Sequence, residues 1–343
     1  MTRPTLSIVV PCYNEEACLE QLHARLTAAA RAAAPGAYEI LLVNDGSRDR
    51  TWPIMQGLAT ADPRLTAINL SRNHGHQLAL TAGLDLCAGE RILIIDADLQ
   101  DPPELLPEMI AEMDRQQADV VYAVRRARAG ETAFKLGSAK LFYRLLSRLA
   151  EIEIPVDTGD FRLMSRRALD ALLALPEQAR FIRGMVAWIG FRQVPIVYDR
   201  AERLAGETKY PLAKMVRFAL DAVTGFSTAP LRLASHIGLW LVAASVLLVG
   251  YIVFGFLTGS AIQGWTSLML VVVILGAAQM FVLGMIGEYL GRLYMESKRR
   301  PLYIVAEIAG RAEGAARLGH VAQPAETIAA SETPGGKGKR PRA

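Results

Sequence analysis

The sequence predicts an α/β domain with a mainly parallel sheet, followed by an amphipathic helix and a two-helix transmembrane hairpin. Short, continuously apolar segments recur through residues 1–125, and segments with helical spacing separate them. Strands that are apolar along their whole length are typical of parallel sheets covered by helices on both faces. The hairpin is predicted because residues 233–287 contain no Asp, Glu, Lys or Arg.

Five strands and an early helix are predicted in the first domain. The helix covers Glu15–Ala34 and comes directly after the first strand. The strands are predicted over Leu6–Val10, Glu39–Val43, Leu65–Leu70, Ile92–Ile95 and Val120–Ala123. Open parallel sheets bind ligands beyond the carboxyl ends of their strands, so the residues that follow each strand are the candidates for chemistry.

Composition excludes several classes of protein. The chain has 343 residues with 38 basic and 34 acidic side chains, and its net charge of +4 is too small to indicate binding to nucleic acid. No cysteine spacing resembles a metal site, and the three cysteines fit reduced thiols in a cytosolic domain. Residues 1–11 lack the apolar segment of a signal peptide, so the first domain is predicted to stay in the cytoplasm.

Two membrane spans fit inside the charge-free segment. Ile237–Leu257 and Trp265–Ile286 are each long enough to cross a bilayer core of roughly 30 Å. Basic residues precede the first span and follow the second, which predicts that both flanks and both termini are cytoplasmic. The alternative is a helical hairpin buried in a soluble core.

Composition also divides the chain into five parts. Residues 1–210 form the cytoplasmic domain, and 211–232 form an amphipathic juxtamembrane helix, for which an ordinary helix packed on the domain is the alternative. Residues 233–288 hold the two spans, and 289–311 form a cytoplasmic juxtamembrane segment. Residues 312–343 are rich in Ala, Gly, Pro and charge, which predicts a disordered basic tail.

Polar side chains follow three of the predicted strands. The segment PCYNEE at 11–16 has none of the glycines of a dinucleotide-binding fold, and NDGS follows the second strand. Asp96 and Asp98 follow the fourth strand. Two carboxylates one residue apart at a strand end can both reach one hard cation, Mg²⁺ or Mn²⁺. A solvated turn at the strand end is the alternative.

Several motifs run in order from about residue 5 to residue 308. They are SIVVPCYNEE, VNDGS, SRNHGHQLALTAGLD, DADLQDPPE, GDFRLMSR, FIRGMVAWIGF, GETKYPL and GEYLGRLYMESKRRPLY. The set resembles family 2 glycosyltransferases with the GT-A fold. More closely, it resembles the polyprenyl-phosphate glycosyltransferases, the group of dolichol-phosphate mannose synthase and the bactoprenol glucosyltransferases. Two departures are mild: His74 stands where an aromatic such as Phe is expected, and Thr208 where Ser is commoner.

The resemblance implies a nucleotide and metal site. Asp96 and Asp98 would hold Mg²⁺ or Mn²⁺ on the nucleotide diphosphate, with Gln100 and Asp101 beside it. The residues that would line the nucleotide pocket are Pro11, Tyr13, Asn14, Glu15 and Asp45, with Asp45 reading the base.

The resemblance also implies a set of residues near the reacting groups. Asp157 and Asp160 would lie near the donor sugar and the acceptor, with structural turn formation as the alternative. The residues that would bind phosphates are Arg200, Arg203 and Lys209, because three positive charges on one short segment suit a diphosphate. His76 is predicted to be a hydrogen-bonded structural histidine, with a metal or acid–base role as the alternative.

The reaction implied is transfer of a hexose, glucose as the first expectation, from a nucleotide sugar to undecaprenyl phosphate or a similar polyprenyl phosphate, with inversion. GDP-mannose and a UDP-amino sugar are alternative donors. The implied location is the cytoplasmic face of a bacterial inner membrane, in contact with membrane lipid, and the spans are compatible with a homo-oligomer. The alternative function is a membrane scaffold or a nucleotide-binding sensor with a vestigial transferase domain.

Overall fold

The chain folds around one eight-stranded sheet in a computed structural model that describes residues 4–126, 158–199, 229–258 and 264–310. The sheet order is β7-β5-β6-β4-β1-β2-β3-β8. The strands are β1 Leu6–Cys12, β2 Tyr38–Asn44, β3 Leu65–Leu70, β4 Arg91–Ile94, β5 Val120–Arg125, β6 Thr158–Ser165, β7 Gln193–Tyr198 and β8 Val305–Gly310.

Six helices among the described residues cover the two faces of the sheet. They are α1 Leu19–Ala33, α2 Thr51–Ala61, α3 His76–Leu86, α4 Leu106–Gln116, α5 Arg166–Leu173 and α6 Ile182–Trp188. Apolar side chains of α1, α2 and α4 pack on one face, and those of α3, α5 and α6 pack on the other. Burial of apolar surface on both faces explains why β1 and β2 are apolar along nearly their whole length.

Local sequence explains several of the helix ends. Ser165 caps α5, because its hydroxyl accepts a hydrogen bond from the Ala168 backbone N–H at 3.3 Å. Gln117 ends α4 in the left-handed region with φ 49°. The helix predicted from Glu15 begins at Leu19, because the preceding residues form a separate turn in which the Cys18 N–H donates to the Glu15 carbonyl at 3.1 Å.

The α/β class and the mainly parallel sheet are confirmed. Strands β1 to β5 lie where the sequence predicted them, within two residues at each end. Strands β1, β2, β3 and β4 pair in parallel, whereas β6 pairs antiparallel with both β4 and β5. Because β6 runs against its neighbours, its first residues meet the carboxyl ends of β4 and β5. That reversal brings Asp160 to the edge of the sheet where Asp96 lies.

The sequence did not predict β8. Residues 305–310 were placed in a juxtamembrane segment, but they pair antiparallel with β3 through Thr66 to Leu70. The chain therefore returns from its apolar helices to the sheet of the first domain.

Two long apolar helices precede that return. They are α7 Ala229–Leu257 and α8 Trp265–Ser297, and they contain the two predicted spans. Within the described residues, one helical segment, Val271–Ser297, is long and apolar enough to cross a membrane, and a shorter apolar segment covers Ala234–Leu248. None of the apolar window of Val271–Ser297 is buried inside the protein, which argues against the soluble-core alternative. Crossing by both helices stays a prediction.

Several predictions fall on residues outside the described ranges. They concern residues 211–228 of the amphipathic helix predicted over 211–232, whose last four residues begin α7, together with the basic tail and four candidate site residues, Asp157, Arg200, Arg203 and Lys209.

Candidate active site

A crevice lies where the carboxyl ends of β1, β2 and β4 meet the first residues of β6. The loops after β1 and β2 are joined by hydrogen bonds across it. The Asn14 backbone N–H donates to the Ser47 hydroxyl at 2.9 Å, and the Asn14 side-chain oxygen accepts from the Arg48 N–H at 2.9 Å. Pro11 is buried at the end of β1, whereas the Tyr13 side chain is 43% exposed. Asn14 therefore holds the loops together and leaves Tyr13 open to a ligand.

Glu15 lies in the same pair of loops. Its backbone N–H donates to the Thr51 hydroxyl at 2.8 Å, and its carboxylate accepts from the Cys18 thiol at 3.2 Å. The same thiol lies 3.2 Å from the Ala97 carbonyl, which separates Asp96 from Asp98 in the chain. The loop after β1 is thus tied to the loop after β4.

Asp45 anchors the loop after β3. Its carboxylate is buried and accepts the backbone N–H groups of His74 at 2.6 Å and Gly75 at 3.0 Å. Burial raises the pKa of Asp45 above its usual value, and the two N–H groups oppose that rise. The predicted contact of Asp45 with a nucleotide base stays a prediction.

Gly46, next to Asp45, shows how closely these loops approach. It has φ +63°, and a Cβ at this position would lie 2.5 Å from the Arg72 backbone. Only glycine fits both the conformation and the space.

Three side chains able to hold a divalent cation lie together at the centre of the crevice. The candidate ligand atoms of His76, Asp96 and Asp160 all lie within 4.8 Å of one another. His76 Nε2 lies 3.1 Å from Asp160 Oδ2 and 3.6 Å from Asp96 Oδ1. His76 begins α3, Asp96 follows β4 and Asp160 lies in β6, so three separate elements build this group.

Asp160 is the most heavily paired of the three. Its Oδ2 also accepts from Gln77 at 3.2 Å, and its Oδ1 accepts from Arg183 Nε at 2.8 Å. Arg162 lies 3.7 Å from the same carboxylate and is only 4% exposed. Burial raises the pKa of Asp160, but the bonds to His76 and Arg183 outweigh it and hold the pKa far below its usual range. Asp160 therefore stays ionised and orients its neighbours.

The pKa values of two basic partners of Asp160 shift in opposite directions. Burial lowers the pKa of His76, but the hydrogen bond to Asp160 and the nearby charges raise it above its usual value overall. Burial lowers the pKa of Arg162 to about 10, and Asp160 opposes that change. Three basic side chains, His76, Arg162 and Arg183, therefore surround the Asp160 carboxylate.

Asp96 is the least satisfied carboxylate of the group. Its Oδ1 is buried and has no hydrogen-bond partner among the described residues. Burial, together with the charges of Asp160, Asp101 and Asp98, raises its pKa to about 6, while His76 opposes the rise. A buried carboxylate oxygen without a partner, beside an imidazole and further carboxylates, fits a divalent cation. A nitrogen ligand is more usual for Mn²⁺ than for Mg²⁺, which favours oxygen.

Asp98 and Gln100 form a tight turn after Asp96. The Gln100 N–H donates to Asp98 Oδ1 at 3.2 Å, and Leu99 between them has φ 59°, which is strained for a branched residue. Asp98 lies outside the group of three. Its role as a metal ligand stays a prediction, but its charge contributes to the raised Asp96 pKa.

Asp101 is buried and accepts a hydrogen bond from the Tyr198 hydroxyl, whose oxygen lies 3.5 Å from Arg125 Nε. Burial and the Asp101 charge raise the pKa of Tyr198 to about 12. Asp101 therefore joins the loop after β4 to β7, and its predicted place beside the diphosphate stays a prediction.

Of the predicted acidic residues, Asp96 and Asp160 lie together in the crevice, whereas Asp157 falls outside the described residues, and some of their partners were missed. Arg162, Arg183 and Gln77 were not singled out, although they lie in the motifs GDFRLMSR, FIRGMVAWIGF and SRNHGHQLALTAGLD. The hydrogen bond predicted for His76 is present, and His76 also belongs to the group of three side chains that could hold a metal ion, so the metal role stays a prediction. Motif membership was the only signal, because sequence alone does not place β6 and α6 beside α3.

Comparison with known proteins identifies related chains. Residues 7–173 match the family described as Glycosyl transferase family 2. The uncharacterized glycosyltransferase YkcC of Bacillus subtilis is 48% identical over 305 residues, which cover 89% of this chain and 94% of that protein. The bactoprenol glucosyl transferase of Shigella phage SfV is 38% identical over 301 residues, covering 88% and 97%.

Among solved structures, the mannosyltransferase PcManGT from Pyrobaculum calidifontis, in complex with GDP-Man and Mn²⁺, superposes with a TM-score of 0.42. It is 19% identical, over 82% of this chain and 88% of that one.

Proposed function

The chain belongs to glycosyltransferase family 2, with the GT-A α/β fold, and from that premise we propose that it transfers a hexose from a nucleotide sugar to a polyprenyl phosphate. The observation that carries the proposal is the similarity to the phage bactoprenol glucosyl transferase, which extends over 97% of that protein. The similarity therefore reaches beyond the nucleotide-binding half and includes the apolar helices. Undecaprenyl phosphate is the first candidate acceptor and UDP-glucose the first candidate donor.

The route of the chain supports an acceptor at a membrane. Strands β7 and β8 belong to one sheet, and α7 and α8 lie between them in the chain. A chain that leaves a cytoplasmic domain and returns to it crosses a membrane an even number of times. If α8 spans the bilayer, a second segment must span it too, and α7 is the apolar candidate. We therefore propose a bacterial inner-membrane protein with two spans and its catalytic domain in the cytoplasm.

The acceptor phosphate is the nucleophile in this reaction. A phosphate monoester has a second pKa near 6 and is largely dianionic at pH 7. One of its oxygens forms a bond to the anomeric carbon, and the bond from that carbon to the diphosphate oxygen breaks with its electron pair leaving on the diphosphate. Attack opposite the leaving group inverts the anomeric centre. Since the nucleophile carries no proton, no strong general base is needed, and we assign positioning roles to Asp157 and Asp160.

The metal-binding residues and the basic residues are proposed to stabilise the leaving diphosphate. Asp96, with His76 or Asp98, would hold a divalent cation, which when bound neutralises charge on the leaving diphosphate. Arg200, Arg203 and Lys209 are proposed to bind phosphate oxygens, since a guanidinium binds two of them at once.

A donor screen tests the proposal. Purified full-length protein in detergent, with Mg²⁺ or Mn²⁺ and undecaprenyl phosphate, is mixed in turn with radiolabelled UDP-glucose, a UDP-amino sugar and GDP-mannose. We expect label to enter the organic phase with one donor. Transfer should be lost in Asp98→Asn and kept in Asp114→Asn, because Asp114 is an exposed carboxylate paired with Arg91 at 2.7 Å, away from the crevice.

The same screen separates the alternatives. Metal-dependent binding of UDP or GDP without transfer from any donor would favour a nucleotide sensor and would contradict the proposal. Undiminished transfer by Asp98→Asn would remove Asp98 from the metal site and leave the reaction standing.

A further inference from the structure

The end of α8 and the chain that follows it dock onto the catalytic domain at several points. We call residues 296–310 the docking segment. Glu296 accepts the Gln178 backbone N–H at 2.8 Å, and the Tyr303 hydroxyl donates to Asp85 Oδ2 at 2.6 Å. The Ile304 carbonyl accepts the Ser71 N–H at 2.9 Å. Strand β8 then completes the docking by pairing with β3. These contacts join parts of the chain more than 100 residues apart.

One chain of contacts leads from Tyr303 to the crevice through α3. Asp85, the partner of Tyr303, lies in the last turn of this 11-residue helix. His76 and Gln77, both bonded to Asp160, lie in its first turn. A helix of three turns transmits a displacement of one end to the other as a nearly rigid body, so Tyr303 holds the helix that carries His76.

A second chain of contacts leads from Glu296 through the turn between α5 and α6. Gln178 lies in that turn, and α6 begins four residues later. At the start of α6, the Ile182 N–H donates to the Gln77 side chain at 2.9 Å, and Arg183 Nε donates to Asp160 at 2.8 Å. The two chains of contacts therefore converge on Asp160.

The turn between α5 and α6 is held in place by hydrogen bonds of its own. Arg180 lies there, and its guanidinium donates to the carbonyls of Leu172, Leu175 and Glu177. Burial lowers the pKa of Arg180, while the nearby charges of Asp85 and Glu296 oppose that change. The turn is therefore held both to α5 and, electrostatically, to the docking segment.

We infer that the docking segment positions the crevice relative to the membrane, and that Glu296 and Tyr303 are positioning residues for transfer to a lipid-anchored acceptor. The inference rests on the proposed function, because the orientation of the crevice matters only if the acceptor is held in the bilayer. A phosphate at the end of an anchored lipid reacts only where the crevice is presented at the right height and angle. A misplacement of about 1 Å at reacting atoms can cost on the order of 100-fold in rate.

Paired variants of the full-length protein in lipid nanodiscs test this inference. Tyr303→Phe removes the hydroxyl that reaches Asp85, and Glu296→Ala removes the acceptor of the Gln178 N–H. The matched controls are Tyr294→Phe and Glu288→Ala. Tyr294 is exposed on α8, and Glu288 pairs within α8 with Arg292 at 3.4 Å.

We expect the double variant Tyr303→Phe/Glu296→Ala to lose roughly 10-fold in kcat/KM for the polyprenyl phosphate. The donor Kd, measured by titration of the nucleotide sugar, should stay unchanged. Hydrogen exchange at the Gln178 amide should speed up in that variant, and both controls should behave as the wild type.

Each outcome either supports or overturns the inference. Faster exchange at Gln178 with unchanged kcat/KM would overturn the inference, because the contact between Glu296 and Gln178 would then be lost without any effect on transfer. An equal loss of donor affinity would also overturn it, because the segment would then only stabilise the catalytic domain. Absence of transfer by the wild type would overturn the proposed function and the inference together, whereas transfer by the wild type with unaltered variants overturns the inference alone.

Discussion

Two aspartates at opposite edges of the sheet show how differently one fold treats the same side chain. Asp96 follows β4 and Asp119 precedes β5, and the two strands run parallel because both oppose β6. Arg167 Nε and Nη2 donate to the two oxygens of Asp119, each at 2.6 Å, and Ser165 donates at 2.9 Å. The bond to Arg167 lowers the pKa of Asp119, whereas burial raises that of Asp96 to about 6.

The difference teaches where a ligand belongs. Both oxygens of Asp119 are paired, whereas Asp96 Oδ1 is buried without a hydrogen bond among the described residues and lies 3.6 Å from His76 Nε2. Shape alone points elsewhere: a cavity of about 440 Å³ lies at the Asp119 edge, lined by residues that include Arg91 and Asp114. Those two side chains neutralise each other at 2.7 Å. Unbalanced charge marks the crevice as the reactive site more firmly than the cavity volume does.

The largest effect is expected when the shared carboxylate of the crevice is neutralised. Asp160→Asn removes the main charge partner of Arg162, which is 4% exposed. Breaking a buried pair by removing one member costs about 3–5 kcal/mol, so we expect a loss of that order in the free energy of unfolding. Denaturant titration of the detergent-solubilised protein measures it.

The control for this prediction is Asp170→Asn. Asp170 also pairs with an arginine, at 3.6 Å, but its side chain is 61% exposed. Exposed pairs contribute about 0–1 kcal/mol, so the control should remain near the wild type. Equal losses in the two variants would show that the crevice charges are no more tightly coupled than a surface pair.

The next largest effect is expected at Asp96. Asp96→Asn should weaken metal-dependent donor binding roughly 100-fold, because partners of metal ligands alone contribute 10–100-fold. Stability should not fall, since an ionised carboxylate whose pKa rises from 3.8 to about 6 costs the folded state at most about 3 kcal/mol at pH 8. Isothermal titration with Mn²⁺ and nucleotide, beside a thermal melt, measures both. Lost stability with unchanged binding would reverse the comparison between Asp96 and Asp119.

A smaller effect is expected from pH. Asp96 must be ionised to hold a cation, and its pKa of about 6 means that protons compete below that value. His76 has a raised pKa, so it becomes charged at a higher pH than an ordinary imidazole, and its charge repels a cation further. Mn²⁺ affinity should fall about tenfold or more for each pH unit below 6. Affinity that stays constant down to pH 5 would mean that Asp96 is not the ligand.

The contrast between local and distant features also explains what the sequence could predict. Asp45, Asp96 and Asp98 come just after apolar strands that are separated by helical segments. That pattern predicted that they lie at the carboxyl ends of the strands of a parallel sheet. The partnership of His76 with Asp160 joins residues 84 positions apart, across an antiparallel strand that no local pattern indicated. Strand β8 is a second example of long-range pairing. Its six residues lie beyond a long helix, and their own sequence does not indicate that they pair with β3. Long-range pairing depends on packing between elements, which a single sequence does not display.

The smallest effect, and the closest test of the comparison, is expected at Asp119. Asp119→Asn keeps the shape and the hydrogen bond from Ser165 but removes the charge that faces Arg167. Because the Arg167 side chain is 70% exposed, water screens its pair with Asp119, and the pair contributes little to stability.

We expect the unfolding free energy of Asp119→Asn to fall only slightly, while donor binding stays unchanged, in contrast to Asp96→Asn. The sign with pH is also opposite to that of Asp96. A lowered folded-state pKa stabilises above the ordinary value of 3.8, so the difference from the wild type should persist at pH 5–8 and vanish as Asp119 is protonated below about pH 4. A difference that grows as the pH falls would show that Asp119, like Asp96, is held at a cost.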